Sequence, residues 1–303
     1  MSHDSIFDGF AGGEDANWAF GTDFEDPLAG VDTTITPGTD AAALAVYCLM
    51  LGDDALVYAN RLSEWASNAP DLEDDIALAN TALDLLGQAR LLLARAALAD
   101  PGVVPRLPDG SPVPGEDALA FFRDDAGFRN VRFVEPDNGD FAVAIVRLFL
   151  FATYRLALLD RLRLSNDRVL AAIAAKGVKE VTYHRDYAAR WLVTLAKGTD
   201  ESRRRTQAGL RVVLPYWAEL FDDHPVEILM AEQGVGVLPS TLREEADDIV
   251  AQALSAADLD LPEMPRVGPV NGGTGRDGRH TEALSRMLAE MQSVARAHPA
   301  GRW

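Results

Sequence analysis

The sequence predicts an all-α protein: a four-helix bundle with additional C-terminal helices. Long runs rich in Ala, Leu and Arg carry apolar residues at helical spacing, while the chain holds only 16 prolines and 8% aromatics. Two pairs of such runs are each separated by a short turn, which makes each pair an antiparallel hairpin. Hydrophobic residues form 48% of the 303, ample for a buried core.

Residues 1–38 read as a flexible acidic extension, because Asp, Gly and scattered aromatics (Phe7, Phe10, Trp18, Phe20, Phe24) show no sustained period. Residues 39–303 read as one helical domain. The first helix is expected from an N-cap at Thr39 to Trp65, ending at Asn68-Ala69-Pro70. The second starts at a cap on Asp71, with Glu73, Asp74 and Asp75 suited to the positive helix end, and runs to Ala99. Pro101, Pro105, Pro108, Pro112 and Pro114 make 100–115 a loop. A short helix near 116–123 precedes a third long helix over Asp140–Leu164, apolar on nearly every face and so the most buried. The fourth follows a cap at Ser165-Asn166-Asp167 and stops at Lys197-Gly198. Further helices are expected near 200–221, 240–257 and 280–296.

A formal charge of −19 argues against nucleic acid as a partner, since phosphate-backbone affinity comes from Lys and Arg. One cysteine, Cys48, excludes an intramolecular disulfide framework and a Cys-based zinc site, and fits a cytoplasmic location. Arg or Asp interrupts the longest apolar runs before the roughly 20 residues a membrane span requires, so no membrane is expected.

A helical bundle invites a test for a carboxylate di-iron site, which takes an acid from each of two helices and Glu-x-x-His from each of the others. Counting outward from the turns sets Asp84 level with Asp54 or Ala55, Glu180 level with Phe151 and His184 level with Arg147. The layer fails the ligand count. Gly87 stands three residues after Asp84, Tyr183 three after Glu180, and the third helix offers only Phe151 and Ala152. The remaining polar interior (Asp54, Asp84, Arg147, Glu180 and His184) reads as a degenerate bundle-core site without metal or catalytic function. Arg147 is expected to meet Glu180 or Asp84, because a buried charge needs a partner; snorkelling to water is the alternative. Asp84 shares a polar stripe with Asn80, Gln88 and Arg95, which leaves open whether it faces inward or outward. His184 reads as a hydrogen-bonded core histidine before a ligand. The run Asn271-Gly-Gly-Thr-Gly-Arg276-Asp-Gly-Arg279-His280 lacks the P-loop Lys-Ser/Thr ending and reads as a flexible connector, with Arg276 and Arg279 as candidate phosphate or partner contacts.

Several of these stretches carry a resemblance. Leu51-Gly-Asp53-Asp54-Ala-Leu56, the run Ala77–Arg90, Phe133-Val-Glu135-Pro-Asp-Asn-Gly-Asp-Phe141 and Lys179-Glu180-Val-Thr-Tyr-His184 resemble the C subunits of bacterial phenylacetyl-CoA epoxidases. So do Trp217-Ala-Glu-Leu-Phe221, Gly278-Arg-His280-Thr-Glu282 and Met287–Gln292, in order over 45–303. The acidic N-terminus and the Pro-rich 101–115 stretch depart from the pattern. The resemblance implies a ferritin-like fold and a noncatalytic subunit with no cofactor of its own. It also implies a homologous A subunit holding the di-iron centre, a B subunit and a reductase in the wider complex, and a role in phenylacetate catabolism. Two other readings stand beside it. One is an oxygenase with an atypical site made from Asp54, Asp84, Glu180 and His184; the other is an acyl-CoA-binding regulatory bundle using the arginines near 276–279.

Overall fold

The computed structural model describes Leu28 and residues 30–301. Most of the expected N-terminal extension, residues 1–27 and 29, lies outside the described residues. Its remainder packs against the helices: Leu28 is buried, Arg95 Nη1 donates to Thr33 O at 2.6 Å, and Thr36 Oγ1 donates to Asn166 O at 2.8 Å.

Four aspartates start the four long helices, each accepting a bond from the backbone N–H three residues on. Asp40 accepts from Ala43 (3.0 Å) at the start of α1 (Ala41–Ser63), and Asp71 from Asp74 (2.9 Å) at α2 (Leu72–Ala99). Asp140 accepts from Val143 (3.0 Å) at α4 (Phe141–Leu162), and Asp167 from Leu170 (2.9 Å) at α5 (Arg168–Lys197). Such a cap satisfies a donor that no helical carbonyl can reach and contributes about 1 kcal/mol. The cap of α1 is thus Asp40 rather than Thr39.

Helices α1 and α2 pack along their length, as do α4 and α5. The hairpins meet through an edge-on contact of Tyr58 and Phe151 (centroids 4.6 Å apart) and through bonds from α2 to α5. The short α3 (Gly115–Phe121) follows the Pro-rich loop and lies on α2. Beyond α5, the predicted 200–221 helix divides into α6 (Asp200–Val213) and a 3₁₀ turn over Leu214–Phe221, because Pro215 has no N–H to continue the α pattern. A helix not anticipated from sequence, α7 (Pro225–Glu232), packs on α1; α8 (Arg243–Ala256) packs on α4 and α5. The last expected helix is two pieces, α9 (Glu282–Met291) and α10 (Ser293–Ala297). Among the described residues the β content is one isolated bridge, Val270 to Gly273.

One sequence expectation is corrected here. Helices α1, α2 and α4 are each long and apolar enough to cross a membrane by length and composition, despite their charges. Inside the protein that apolar surface is used in packing: 94% of the most apolar window of α4 is buried. Asp53, Asp54 and Arg61 of α1 and Arg147 and Arg155 of α4 are buried too, and each finds polar partners within the chain.

Candidate functional site

The residues singled out from the sequence do not converge on one centre. Asp84 and His184 pair across α2 and α5, the buried His184 Nε2 donating to Asp84 Oδ2 at 2.9 Å. One turn away Gln88 links two helices: its Nε2 donates to Glu180 Oε2 (2.9 Å) while its Oε1 accepts from Arg155 Nε (2.9 Å). Glu180 also meets Lys176 at 3.3 Å, and Arg155 Nη1 donates to Leu51 O at 3.2 Å. Arg155, not Arg147, is therefore the cation at this depth. Burial pulls its pKa down from the usual arginine value, and the carboxylate of Asp54 opposes that shift.

The expected meeting of Arg147 with Glu180 or Asp84 does not occur. Arg147 is buried, and its Nη1 and Nη2 donate to the carbonyls of Pro136 (2.6 Å) and Asp137 (2.8 Å). The reason is directional. Helical side chains lean towards the N-terminus of their helix, so Arg147 reaches back to the loop preceding α4, and Arg155 leans back to the level of Phe151 where the count had placed Glu180.

Asp54 belongs to a different assembly. It is fully buried and makes a two-pronged pair with Arg276, Oδ1 to Nη1 at 3.0 Å and Oδ2 to Nη2 at 2.9 Å. Arg276 Nη1 also donates to Met50 O (3.0 Å) and Arg129 O (2.9 Å), and Arg276 Nε lies 3.6 Å from Glu227. The candidate phosphate contact is thus an interior cation. Burial alone would lower its pKa, but Asp54 and Glu227 outweigh that and lift it above the ordinary arginine value. Arg279, by contrast, is exposed, and its backbone N–H donates to Thr274 O at 3.0 Å.

Three further buried carboxylates are held close to Arg276, all on residues that sequence reasoning did not assign to a site. Asp53 takes Arg123 Nη1 at 2.9 Å and the Arg129 N–H at 2.8 Å. Glu219 takes Arg132 Nε at 2.8 Å and the N–H groups of Arg132 and Gly275, both at 3.1 Å. Glu135 takes His280 Nδ1 (2.6 Å), Asn130 Nδ2 (2.9 Å) and the Thr281 N–H (2.7 Å). The 123–139 loop is thereby held between α1 and the 275–281 segment. Backbone approach makes this possible: a Cβ on Gly275 would stand 2.1 Å from Asn130 O, and Gly278 adopts φ +71° with its Cβ position 2.4 Å from Ala126 O. The glycine-rich run is accordingly a docked segment, not a flexible connector. One signal was legible, since Asp53, Asp54, Glu135, Glu219 and His280 all lie in the stretches that carry the family resemblance.

For metal chemistry the donor set does not fit. Among the described residues no group of three or more His, Cys, Asp or Glu side chains could hold an ion. The candidate acids are engaged: Asp54 by Arg276, Asp84 by His184, Glu180 by Gln88 and Lys176. Among the described residues, the buried polar atoms without a hydrogen-bond partner include Arg155 Nη2, a cationic donor beside these acids that would repel a metal.

Glu227 gives this interior a pH dependence. It is buried, accepts from the His224 N–H at 3.0 Å, and shares Arg276 with Asp54. Burial pushes its carboxyl up from 4.5 to about 7, against the pull of Arg276 and the His224 N–H. The folded protein therefore holds this proton more tightly than the unfolded chain. The resulting stability is complete below about pH 4.5 and is lost as pH rises through about 7. Glu227→Gln is expected to flatten that segment of the stability curve, a contribution on the order of 3 kcal/mol, when unfolding is followed by urea titration at about pH 5 and about pH 8. An unchanged slope between those two conditions would assign the dependence elsewhere.

The fold and interior define an all-helical protein whose inward carboxylates are tied up in ion pairs and hydrogen bonds rather than gathered around a metal. The chain belongs to the phenylacetic acid catabolic protein family, whose model matches residues 29–303. Among curated proteins it is similar to the C subunit of the 1,2-phenylacetyl-CoA epoxidase of Escherichia coli (strain K12). The two are 42% identical over 263 residues, spanning 86% of this chain and 99% of that relative.

Proposed function

We propose that this chain is a noncatalytic structural subunit of a multicomponent phenylacetyl-CoA epoxidase in aerobic phenylacetate catabolism. In this reading its two hairpins form a ferritin-like four-helix bundle that binds and supports a di-iron A subunit. The single observation that carries the proposal is the engagement of Asp54, Asp84 and Glu180 with Arg276, His184, Gln88 and Lys176, which keeps these acids from sharing a metal. The similarity to a protein named as the C subunit of such an epoxidase supplies the pathway. A B subunit and a reductase complete the assembly, this chain holds no cofactor itself, and it works in the cytoplasm without membrane or nucleic acid.

The geometry gives the other two readings less support. An oxygenase built from Asp54, Asp84, Glu180 and His184 would require acids now bonded in separate groups to converge. An acyl-CoA site would have to rely on the exposed Arg279, because Arg276 is 4% exposed and paired with Asp54.

Elemental analysis of the chain purified alone, and again after co-expression with its candidate A subunit, tests the proposal. Iron is expected only in the co-purified complex. About two irons per isolated chain, the complement of a carboxylate di-iron bundle, would overturn it.

A further inference from the structure

Between α1 and α2 runs an open apolar valley. Its floor is made of small residues, Ala59, Ser63 and Ala66 from α1 and the turn after it with Ala79 and Ala82 from α2, and it encloses about 430 Å³. Leu83 and Leu86 form one wall, and they are 63% and 46% exposed. At one end Phe121 and Met291 line both this valley and a second apolar cavity of about 570 Å³ bounded by α3 and α10, so the two form one trough. Further along α2, Ile76 and Leu72 are also exposed, at 52% and 69%. Ile76, Leu83 and Leu86 fall on one helical stripe.

Exposed leucines beside a small-residue floor have the geometry of a surface that accepts another helix. Small residues let helix axes approach to the 8–10 Å typical of packed helices, while the flanking leucines supply the ridge. A contiguous apolar patch of this kind marks an interaction site rather than ordinary surface. The charge around it selects the occupant. Asp117 stands in the trough wall and the exposed Glu290 precedes Met291, while Glu64, next to the floor residue Ser63, is already held by Arg61 and Asn138. The nearby arginines are already engaged, Arg90 by Glu116 and Arg296 by Asp124. A second copy of a chain with formal charge −19 would bring like charges together at this rim.

We infer that the α1/α2 valley seats an amphipathic helix of the partner subunit, its apolar stripe on Leu83 and Leu86 and flanking Lys or Arg residues against Asp117 and Glu290. This inference rests on the subunit reading above and specifies the face and the chemistry of the contact.

The test uses the full chain and its candidate A subunit, each purified separately, comparing wild type, Leu83→Glu/Leu86→Glu, and Val212→Glu on α6 as a control at another exposed apolar position. Affinity is read by titration calorimetry and the fold of each free chain by thermal unfolding. The double substitution is expected to weaken binding at least about tenfold with little change in the melting temperature of the free chain, while Val212→Glu binds as wild type. Wild-type affinity in the double variant would overturn this inference and leave the subunit reading intact. No complex with the wild-type chain would overturn both. A wild-type chain that is dimeric alone and made monomeric by the double substitution would give the valley to a second copy and overturn the heterologous contact. Should Leu83→Glu/Leu86→Glu fail to fold, the single substitution Leu83→Gln is measured in the same way, and undiminished binding there would be equally decisive.

Discussion

Replacing Arg276 with methionine is expected to lower the unfolding free energy by about 3–5 kcal/mol, because it leaves the buried Asp54 carboxylate without its cation. Asp54 is 0% exposed, and the Glu227 side chain is 2% exposed. The same guanidinium also donates to the carbonyls of Met50 and Arg129, so the loss includes two further charge-assisted hydrogen bonds. Urea unfolding followed by circular dichroism measures the effect. A change below about 1 kcal/mol would mean that water reaches Asp54 and solvates it. Adding Asp54→Asn should recover part of the loss, since the amide removes one stranded charge while keeping its hydrogen-bonding capacity.

The second large effect is expected at Arg132. Arg132→Met strands Glu219, which would retain only the N–H groups of residues 132 and 275, and it frees the carbonyl of Gly268 that Arg132 Nη1 holds at 2.9 Å. Breaking a buried pair from one side again costs about 3–5 kcal/mol. The local outcome differs from that at Arg276. The stretch over 260–275 is joined to the helices by few contacts, among them Arg132 to Gly268 and the Val267 N–H to Pro215 O at 2.8 Å. Limited proteolysis should therefore cut this stretch faster in the variant than in wild type. Equal cleavage rates would show that Glu219 and Arg132 are not what anchors it.

Much of the fold is legible in the sequence because its signals are local. Asp71, Asp140 and Asp167 announce helix starts by residue type and position, and the short turns after α1 and α4 fix the hairpins. The failures mark places where tertiary contact outweighs local signal. Helix α7 is only eight residues long and begins at His224 and Pro225, an unusual cap completed by Glu227 reaching back. The glycine-rich run is ordered by Asn130, Glu219 and Glu135, residues far away in the chain, so no local pattern could separate a docked segment from a connector. At the candidate site the residue types were readable, but their partners were not. Level-counting places Cα atoms, whereas an arginine delivers its charge a turn or more away; this is why Arg155 occupies the position assigned to Arg147.

The pairing of Asp54 with Arg276 spans 222 positions of sequence, and that separation governs how the protein is made. During synthesis α1 emerges long before its partners, with two aspartates in its most apolar stretch. Asp53 waits for Arg123 and Asp54 for Arg276 before either can be buried without penalty. The first hairpin can form its backbone hydrogen bonds early, yet it cannot close its interior until Arg276 has left the ribosome. Nascent chains that stop short of that arginine thus carry an exposed apolar surface and an uncompensated negative centre, which makes vectorial folding of this protein dependent on a late segment.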